Sequence, residues 1–402
     1  MGEFLQVVSY EEAIVRLKSR LKRPGEEQCP LGRSRGRILS RAIASPEDMP
    51  GFNRSTVDGY AVNALDSFGA SESLPAFFQY IGAVPMGAAP DFSISSGQCA
   101  WIPTGGMLPA GSDAAIMVEY TERLGDDTIL VYRPGSPGEN VMRKGEDISR
   151  DEDLFAEGHL LRPQDIGLLA SLGISRVPVI KPYLVGIISS GDEMVPIEMP
   201  PNPGQVRDVN SYSLAAAVEE RGHRAQIYPL VRDDADQLKR MVAQSLEQND
   251  ITLLSGGSSV GIADLTLDVL LSFEEAQLLF HGLAVKPGKP TMGVSIKDRL
   301  VIGLPGHPVS ALMMFNVLSH QLLDSRRNLH VHARLTQNIA SQPGRDDFVP
   351  VYLSEGAGHW EARPLLGKSG LMSILAQANG FIHIKAVDQG LKGGEVCRVY
   401  PF

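Results

Sequence analysis

Cysteine is scarce. The 402-residue chain has 3, Cys29, Cys99 and Cys397, too far apart for paired ligand spacing, which excludes a zinc knuckle and a disulfide framework. Reduced thiols of this kind fit a cytoplasmic protein. A basic excess is also missing: 37 Lys and Arg against 47 Asp and Glu give a formal charge of -10. That argues against nonspecific binding to nucleic acid or to an anionic membrane, and leaves room for a local basic pocket that takes a small phosphorylated ligand. No apolar run is long enough to cross a bilayer, and Met1–Ala13, with Glu3, Glu11 and Glu12, shows no basic region followed by an apolar one, so no signal peptide is expected. What is plentiful is glycine and proline, 41 and 27 residues. Beside 43% hydrophobic residues, they imply a globular protein with many ordered turns. The length exceeds one compact core and predicts two to four domains.

The patterning changes near residues 46, 141, 180 and 327, setting off a β-rich domain at 47–141, an α/β domain at 181–327 and a β domain at 328–402 from the remaining 1–46 and 142–180. Ala13, Ile14, Leu17 and Leu21 recur at helical spacing in an opening amphipathic helix. Phe77–Ile81, Ala114–Val118 and Thr128–Tyr132 are short apolar runs between Gly, Pro and Asp turns and read as strands. Asp165–Leu172 reads as a short helix ending at Gly173. Strands Leu184–Ser189, Ala225–Leu230, Ile251–Ser255 and Leu300–Gly303 then alternate with helices Ser211–Glu220, Asp234–Gln248, Asp264–Phe273 and Val309–Leu323. Such alternation predicts a doubly wound, parallel sheet covered on both faces. Ala333–Leu335, Phe348–Leu353, Gly380–Ile384 and Val396–Tyr400 read as the strands of the last domain.

In an open parallel sheet, ligands bind beyond the C-terminal strand ends, and the loops expected there carry suggestive chemistry. Ser255-Gly256-Gly257-Ser258-Ser259-Val260-Gly261 offers backbone N–H groups and hydroxyls to an anion, although a tight strand-to-helix turn would look the same. Gly303-Leu304-Pro305-Gly306-His307-Pro308-Val309-Ser310 is a rigid turn with Pro308 near the first helical position, where a missing N–H costs nothing. Lys286-Pro287-Gly288-Lys289-Pro290 places two cations on a stiff loop, which in an acidic chain suggests an oxyanion site, against the alternative of two solvated lysines. Glu193, Asp233 and Asp264 fall at similar loop positions. Singly, Asp233 and Asp264 read equally as helix caps; together, such carboxylates suit a hydrated Mg²⁺ bridging protein to phosphate. A second set, Asn53–Val62 with Asp58, Pro103–Gly106 with Thr104, and Arg143–Ile148 with Asp147, lies in turns outside this domain, and nothing in the spacing joins it to the first.

Seven segments, in order, resemble the molybdopterin molybdenumtransferase family, that is the bacterial MoeA proteins and the E domain of gephyrin. They are Ser55–Val62, Lys144–Ile148, Gly191-Asp192-Glu193, Asp208-Val209-Asn210-Ser211, Ser255–Gly261, Lys286–Pro290 and Gly303–Ala311. The resemblance runs through nearly the whole chain. It implies a central α/β domain similar to the molybdopterin adenylyltransferase fold, an inserted β-rich domain and a C-terminal β-barrel-like domain. It also implies a homodimer whose cleft combines the α/β domain of one subunit with the β-rich domain of the other. The implied reaction takes adenylylated molybdopterin and molybdate, cleaves the pyrophosphate bond, releases AMP and leaves molybdenum on the dithiolene, with Mg²⁺ assisting.

By the same resemblance, Asp58, Asp147, Glu193, Asp233 and Asp264 are the carboxylates that act on metal, water and substrate, the last three being the metal set. Thr104, Ser255, Gly256, Gly257, Ser259, Lys286, Lys289, Pro305, Pro308 and Ser310 would contact or shape the substrate site. Ser258, Ile262 and His307 depart from the family pattern, His307 standing where Asn is usual. Two other readings compete: a noncatalytic scaffold or a tungsten-preferring homologue that keeps the fold, and an adenylyltransferase acting one step earlier, which the long chain disfavours. The adenylyltransferase is also the expected protein partner.

Overall fold

The computed structural model describes residues 7–256, 262–323, 329–356, 358–368 and 370–402, without the side chains of residues 262–264. The chain forms two compact units: Gln28–Val179, and the segment to Glu27 together with Ile180–Phe402.

The second unit opens with helix α1 (Tyr10–Arg20), where the Ser9 hydroxyl accepts from the Glu12 N–H at 3.1 Å, acidic residues occupy the first turn and basic ones the last. Its buried stripe Ala13, Ile14 and Leu17 packs into the core of the α/β part of this unit.

In the first unit, a six-stranded sheet runs through β1 (Gly59–Val62), β2 (Ala76–Ala83), β3 (Gln98–Ile102), β4 (Ala114–Met117), β5 (Thr121–Leu124) and β6 (Thr128–Val131), in the order β4-β1-β3-β2-β6-β5. The expected strands at 77–81, 114–118 and 128–132 are there. β1, β3 and β5 are not among the expected strands: Gly59-Tyr60-Ala61-Val62 and Gln98–Ile102 are short and dilute their apolar residues with Gly, Ala or Gln, and Thr121–Leu124 is mostly exposed and polar. Helix α2 (Pro163–Ser171) starts earlier than its apolar pattern suggests, because Pro163 takes the first turn and Asp165 is its capping carboxylate. Asp165 accepts from the Arg162 N–H at 2.8 Å and lies beside the Arg162 guanidinium and His159, Arg162 chiefly holding it well below the usual carboxylate range.

The α/β part of the second unit holds β7 (Leu184–Ser190), α3 (Asn210–Glu220), β8 (Arg224–Ile227), α4 (Ala235–Gln248), β9 (Ile251–Gly256), α5 (Ile262–Leu271), β10 (Ala276–His281), β11 (Met292–Ile296), β12 (Arg299–Leu304) and α6 (Pro308–Leu322). The strand order is β8-β7-β9-β12-β11-β10. Four strands are parallel, but β11 is antiparallel to both β12 and β10, so the sheet is mixed rather than wholly parallel as expected. The two extra strands are short, and Gly293 interrupts the β11 pattern. Glycine is required there, since a Cβ would stand 2.6 Å from the Phe280 ring.

Both faces of the sheet are covered. Val185, Ile187, Leu253 and Ile302 pack with α3 and α6 residues such as Leu214 and Met313 on one side; Ile188, Leu254 and Val301 pack with α4 and α5 residues such as Val242 and Leu270 on the other. Strands buried on two faces read as continuous apolar runs, which is why they were legible.

The rest of this unit contains β13 (Val331–Leu335), β14 (Asp346–Glu355), β15 (Trp360–Pro364), helix α7 (Met372–Gln377), β16 (Gly380–Ile384) and β17 (Val396–Pro401). The strands follow the order β14-β15-β13-β17-β16, and β14 also pairs with β16, closing a barrel around Val351, Ala362, Ile382 and Val399. The two residues Val285–Lys286 pair with Asp346–Asp347 of β14, tying the barrel to the α/β part. Fold class is therefore as expected: a doubly wound α/β domain, a β-rich domain and a C-terminal barrel. All three cysteines are buried and unpaired; burial pushes the Cys99 thiol up to about 12. No helix among the described residues is long and apolar enough to cross a membrane.

Candidate active site

β7 and β9 are neighbours, but the connection from β7 leads outward through α3 to β8, and α4 then carries the chain back across to β9. This reversal opens a crevice at the C-terminal ends of the two strands, where open α/β sheets bind ligands. Their last residues, Ser190 and Gly256, are in register. Gly256 has φ +117°, and a Cβ there would stand 1.9 Å from the Ser190 carbonyl oxygen, so only glycine permits this approach.

A buried polar network lines the strand ends. Ser211 Oγ and Ser189 Oγ are 2.9 Å apart, Ser211 N–H donates to Asp208 Oδ1 at 3.0 Å, and Asn210 Nδ2 donates to Ser255 Oγ at 2.6 Å and to the Gly306 carbonyl at 2.9 Å. Ser255 is thus placed at the crevice but already engaged. Pro308 occupies the first turn of α6 and His307 is its N-cap residue, without a side-chain capping bond. Pro305 is buried in the preceding turn, and the His307 side chain is exposed. Gly257, Ser258 and Ser259 lie outside the described residues, as do the side chains of Ile262 and Asp264.

At the neighbouring strand end, the cap of α4 is Asp234, whose carboxylate accepts from Gln237 N–H at 2.7 Å. That frees Asp233 from the capping role open to it in the sequence. Its backbone N–H donates to Asp192 Oδ1 at 3.4 Å, while its own Oδ1 is buried without a partner among the described residues. Burial, followed by the nearby charges of Asp192 and Glu193, raises the Asp233 carboxyl above its ordinary value. The sign of the consequence follows. A carboxyl raised on folding disfavours the native state once it ionises, so its penalty is absent in acid and appears as pH rises through the raised value. Asp233→Asn is therefore expected to raise the melting temperature at neutral pH. The difference should vanish in acid. An unchanged melting temperature at neutral pH would show that the charge is not strained there.

The lysine loop connects β10 to β11. Its shape comes from backbone bonds, Leu283 N–H to Lys289 O at 2.8 Å and Thr291 N–H to Gly288 O at 3.0 Å, so both lysine side chains stay exposed. They line a cavity of about 940 Å³ with Ser310 of α6 and, from the barrel part, Arg345 and Lys368. Arg345 Nε is held 3.0 Å from Asp347 Oδ1. Four cationic side chains, Arg345 among them paired with the Asp347 carboxylate, surround one cavity in a chain of net charge -10, an arrangement that could hold a small oxyanion. Sequence reasoning missed Arg345 and Lys368, because single basic residues in loops between strands carry no pattern.

In the first unit, the three remaining segments come together. The Asp58 carboxylate accepts from Thr104 N–H at 2.7 Å and from Thr104 Oγ1 at 3.0 Å, and these bonds lower its pKa, keeping it anionic. Ser55 N–H donates to the Gly106 carbonyl at 2.9 Å, Lys144 N–H donates to Asn53 Oδ1 at 2.8 Å, and Asp147 N–H donates to the Met49 carbonyl at 3.1 Å. The Asp147 side chain is exposed.

Comparison with known proteins bears on the whole length. Residues 8–173 match the profile of the MoeA N-terminal region (domains I and II), 186–325 that of a probable molybdopterin binding domain, and 332–402 that of the MoeA C-terminal region (domain IV). A putative molybdopterin biosynthesis protein of Methanocaldococcus jannaschii is 34% identical, covering 90% of this chain and 89% of that one. The molybdopterin molybdenumtransferase of Haemophilus influenzae is 32% identical over 94% of each. A crystal structure of a molybdopterin biosynthesis MoeA protein from Pyrococcus horikoshii superposes with TM-score 0.87 at 38% identity, covering 98% of this chain and 99% of that one. With matching profiles along its length and relatives of this identity and coverage, the chain belongs to the MoeA family of molybdopterin molybdenumtransferases.

Proposed function

We propose that this protein acts in molybdenum cofactor biosynthesis, inserting molybdenum from molybdate into adenylylated molybdopterin with release of AMP. The observation that carries the reading is the four-cation cavity of Lys286, Lys289, Arg345 and Lys368 with Ser310 on its wall, adjoining a strand-end crevice through the turn before α6. Molybdate is a compact dianion, and fixed cations beside a buried hydroxyl-bearing helix start offset its charge. The crevice takes the organic substrate, and the bond broken joins the two phosphorus atoms of its pyrophosphate through oxygen. A water oxygen forms a new bond to one phosphorus as the bridge breaks, so AMP leaves and the molybdopterin monophosphate remains. The two dithiolene thiols displace one molybdate oxygen as water with molybdenum's oxidation state unchanged, and the lysines steady the negative charge that develops on the phosphate oxygens. Asp233, raised above its ordinary value, orients the attacking oxygen; Asp58, kept anionic by Thr104, and Asp147 belong to the same proposed set of polar groups.

The residues present fit Mg²⁺. Asp233 Oδ1 is a buried acceptor without a partner among the described residues, and Asp192 and Glu193 add charge beside it. Mg²⁺ keeps most of its water and takes only one or two protein carboxylates. Glu193 and Asp233 would hold it, with Asp264 as the third member proposed. When bound it supplies positive charge to the phosphate oxygens.

The active form is proposed to be a cytoplasmic homodimer fed by the molybdopterin adenylyltransferase. Light scattering would give twice the 43.4 kDa of one chain. The deciding experiment supplies purified protein with adenylylated molybdopterin, molybdate and Mg²⁺. AMP release should match the molybdenum inserted, and tungstate competition in the same assay measures metal preference. Absence of molybdate-dependent AMP release would overturn the reading.

A further inference from the structure

Asn210 is 3% exposed, at the first position of α3, where the strand-end crevice meets the turn before α6. Its amide orientation is fixed by its surroundings. The Gly306 carbonyl can only accept, so the group facing it at 2.9 Å is the NH₂; the same nitrogen reaches Ser255 Oγ at 2.6 Å. Both Nδ2 protons are thereby used, one on the end of β9 and one on the turn that starts α6. Oδ1 is left on the other side, buried and with no hydrogen-bond partner among the described residues. A buried acceptor without a donor is costly, and natural structures keep few of them. The other strand-end acceptor in this condition, Asp233 Oδ1, belongs to the metal site proposed above, whereas an uncharged carboxamide oxygen is poorly suited to offset a phosphate or a molybdate. It matches a neutral N–H or O–H donor.

Resting on the functional reading above, we infer that Asn210 is a substrate-positioning residue. Its Nδ2 locks the end of β9 to the turn before α6, and its Oδ1 accepts a hydrogen bond from an N–H or O–H group of the organic substrate. This gives the crevice a means of registering the organic substrate separately from the anion-binding cavity of Lys286 and Lys289. The donor comes either from the ring system of molybdopterin or from the nucleoside, and the two sources are separable.

Calorimetric titration of wild type, Asn210→Ala and Asn210→Asp with adenylylated molybdopterin, molybdopterin, AMP and molybdate tests the assignment, with thermal melting of each protein alongside. Asn210→Ala is expected to weaken adenylylated molybdopterin at least tenfold while leaving molybdate within twofold. The loss should reappear with molybdopterin alone or with AMP alone, according to which half carries the donor. Asn210→Asp loses both Nδ2 donations but keeps an acceptor, so it should bind the organic ligand more tightly than Asn210→Ala despite a lower melting temperature. Should the alanine variant not fold, Asn210→Ser takes its place.

Wild-type affinity for the organic ligand in a folded alanine variant overturns the assignment, as does an aspartate variant no better than alanine, which would reduce the residue to a loop tether. A wild-type protein that binds molybdate but not adenylylated molybdopterin overturns the functional reading instead.

Discussion

Replacing Lys286 and Lys289 together by alanine is expected to lower molybdate-dependent AMP release by about 10²–10³-fold, the range seen when a fixed group opposing developing charge is removed. Both side chains are exposed and line the cavity shared with Arg345 and Lys368. The loop itself is shaped by main-chain bonds from Leu283 and Thr291 and by Gly288, whose missing Cβ would otherwise stand 2.1 Å from Met314 Cγ. The double variant should therefore melt within about 1 °C of wild type, as surface substitutions usually do. The loss should appear in kcat/KM for molybdate, shared between a raised KM and a lowered kcat, because the cations act on the anion before and during the reaction. Each single variant should fall between. A folded double variant with wild-type kcat/KM for molybdate would show that this cavity is not where the oxyanion is held.

Gly256→Ala is expected to be the most damaging single methyl addition at the crevice. The new carbon would lie 1.9 Å from the Ser190 carbonyl oxygen, at a backbone with φ +117° that side chains rarely adopt. Backbone, not a flexible side chain, is in the way, so β7 and β9 must part at their C-terminal ends. Strain plus the loss of the terminal strand pairing amounts to about 3 kcal/mol, which for a unit of this size lowers the melting temperature by roughly 6–12 °C. Turnover should also drop at temperatures where the variant is still folded, since the crevice would be widened. Gly222→Ala is the control: it too has a positive φ, +78°, but open space where the Cβ would go, so only the conformational cost of about 1 kcal/mol is expected. Equal melting temperatures for the two variants would remove the argument that strand approach, rather than glycine geometry alone, matters at Gly256.

Much of the α/β part was legible because its helices announce their ends chemically. Pro308 stands at the start of α6, an Asp stands before α4, and the three central strands β7, β9 and β12 are largely apolar. Four of the five barrel strands fall within a few residues of expectation, each being a short apolar run between turns; β15 was missed, since Trp360-Glu361-Ala362-Arg363-Pro364 is no apolar run. β10 and β11 were not found, since Ala276–His281 and Met292–Ile296 are brief and neither alternates nor is uniformly aliphatic. Their absence from the expected topology hid a relation of consequence: the lysine motif is the connection between these two antiparallel strands, and its first lysine also pairs with the barrel.

For the site, residue types and spacing marked the Gly-rich loop, the lysines and the Pro305–Ser310 turn, and the resemblance marked Asp58, Thr104 and Asp147. The sequence alone thus determined the classes of group available, amide donors, hydroxyls, cations and carboxylates, because short motifs fix local backbone shape and charge. It also determined which strands would be buried on both faces. Three matters were decided only by tertiary structure. Asp234 rather than Asp233 caps α4, because the choice between adjacent carboxylates depends on where the helix axis starts. Arg345 and Lys368 join the lysines, because the closed barrel brings loops from distant positions onto one cavity. Asn210 spans the end of β9 and the start of α6, because the reversal of strand order between β7 and β9 places three sequence-remote segments within hydrogen-bond reach.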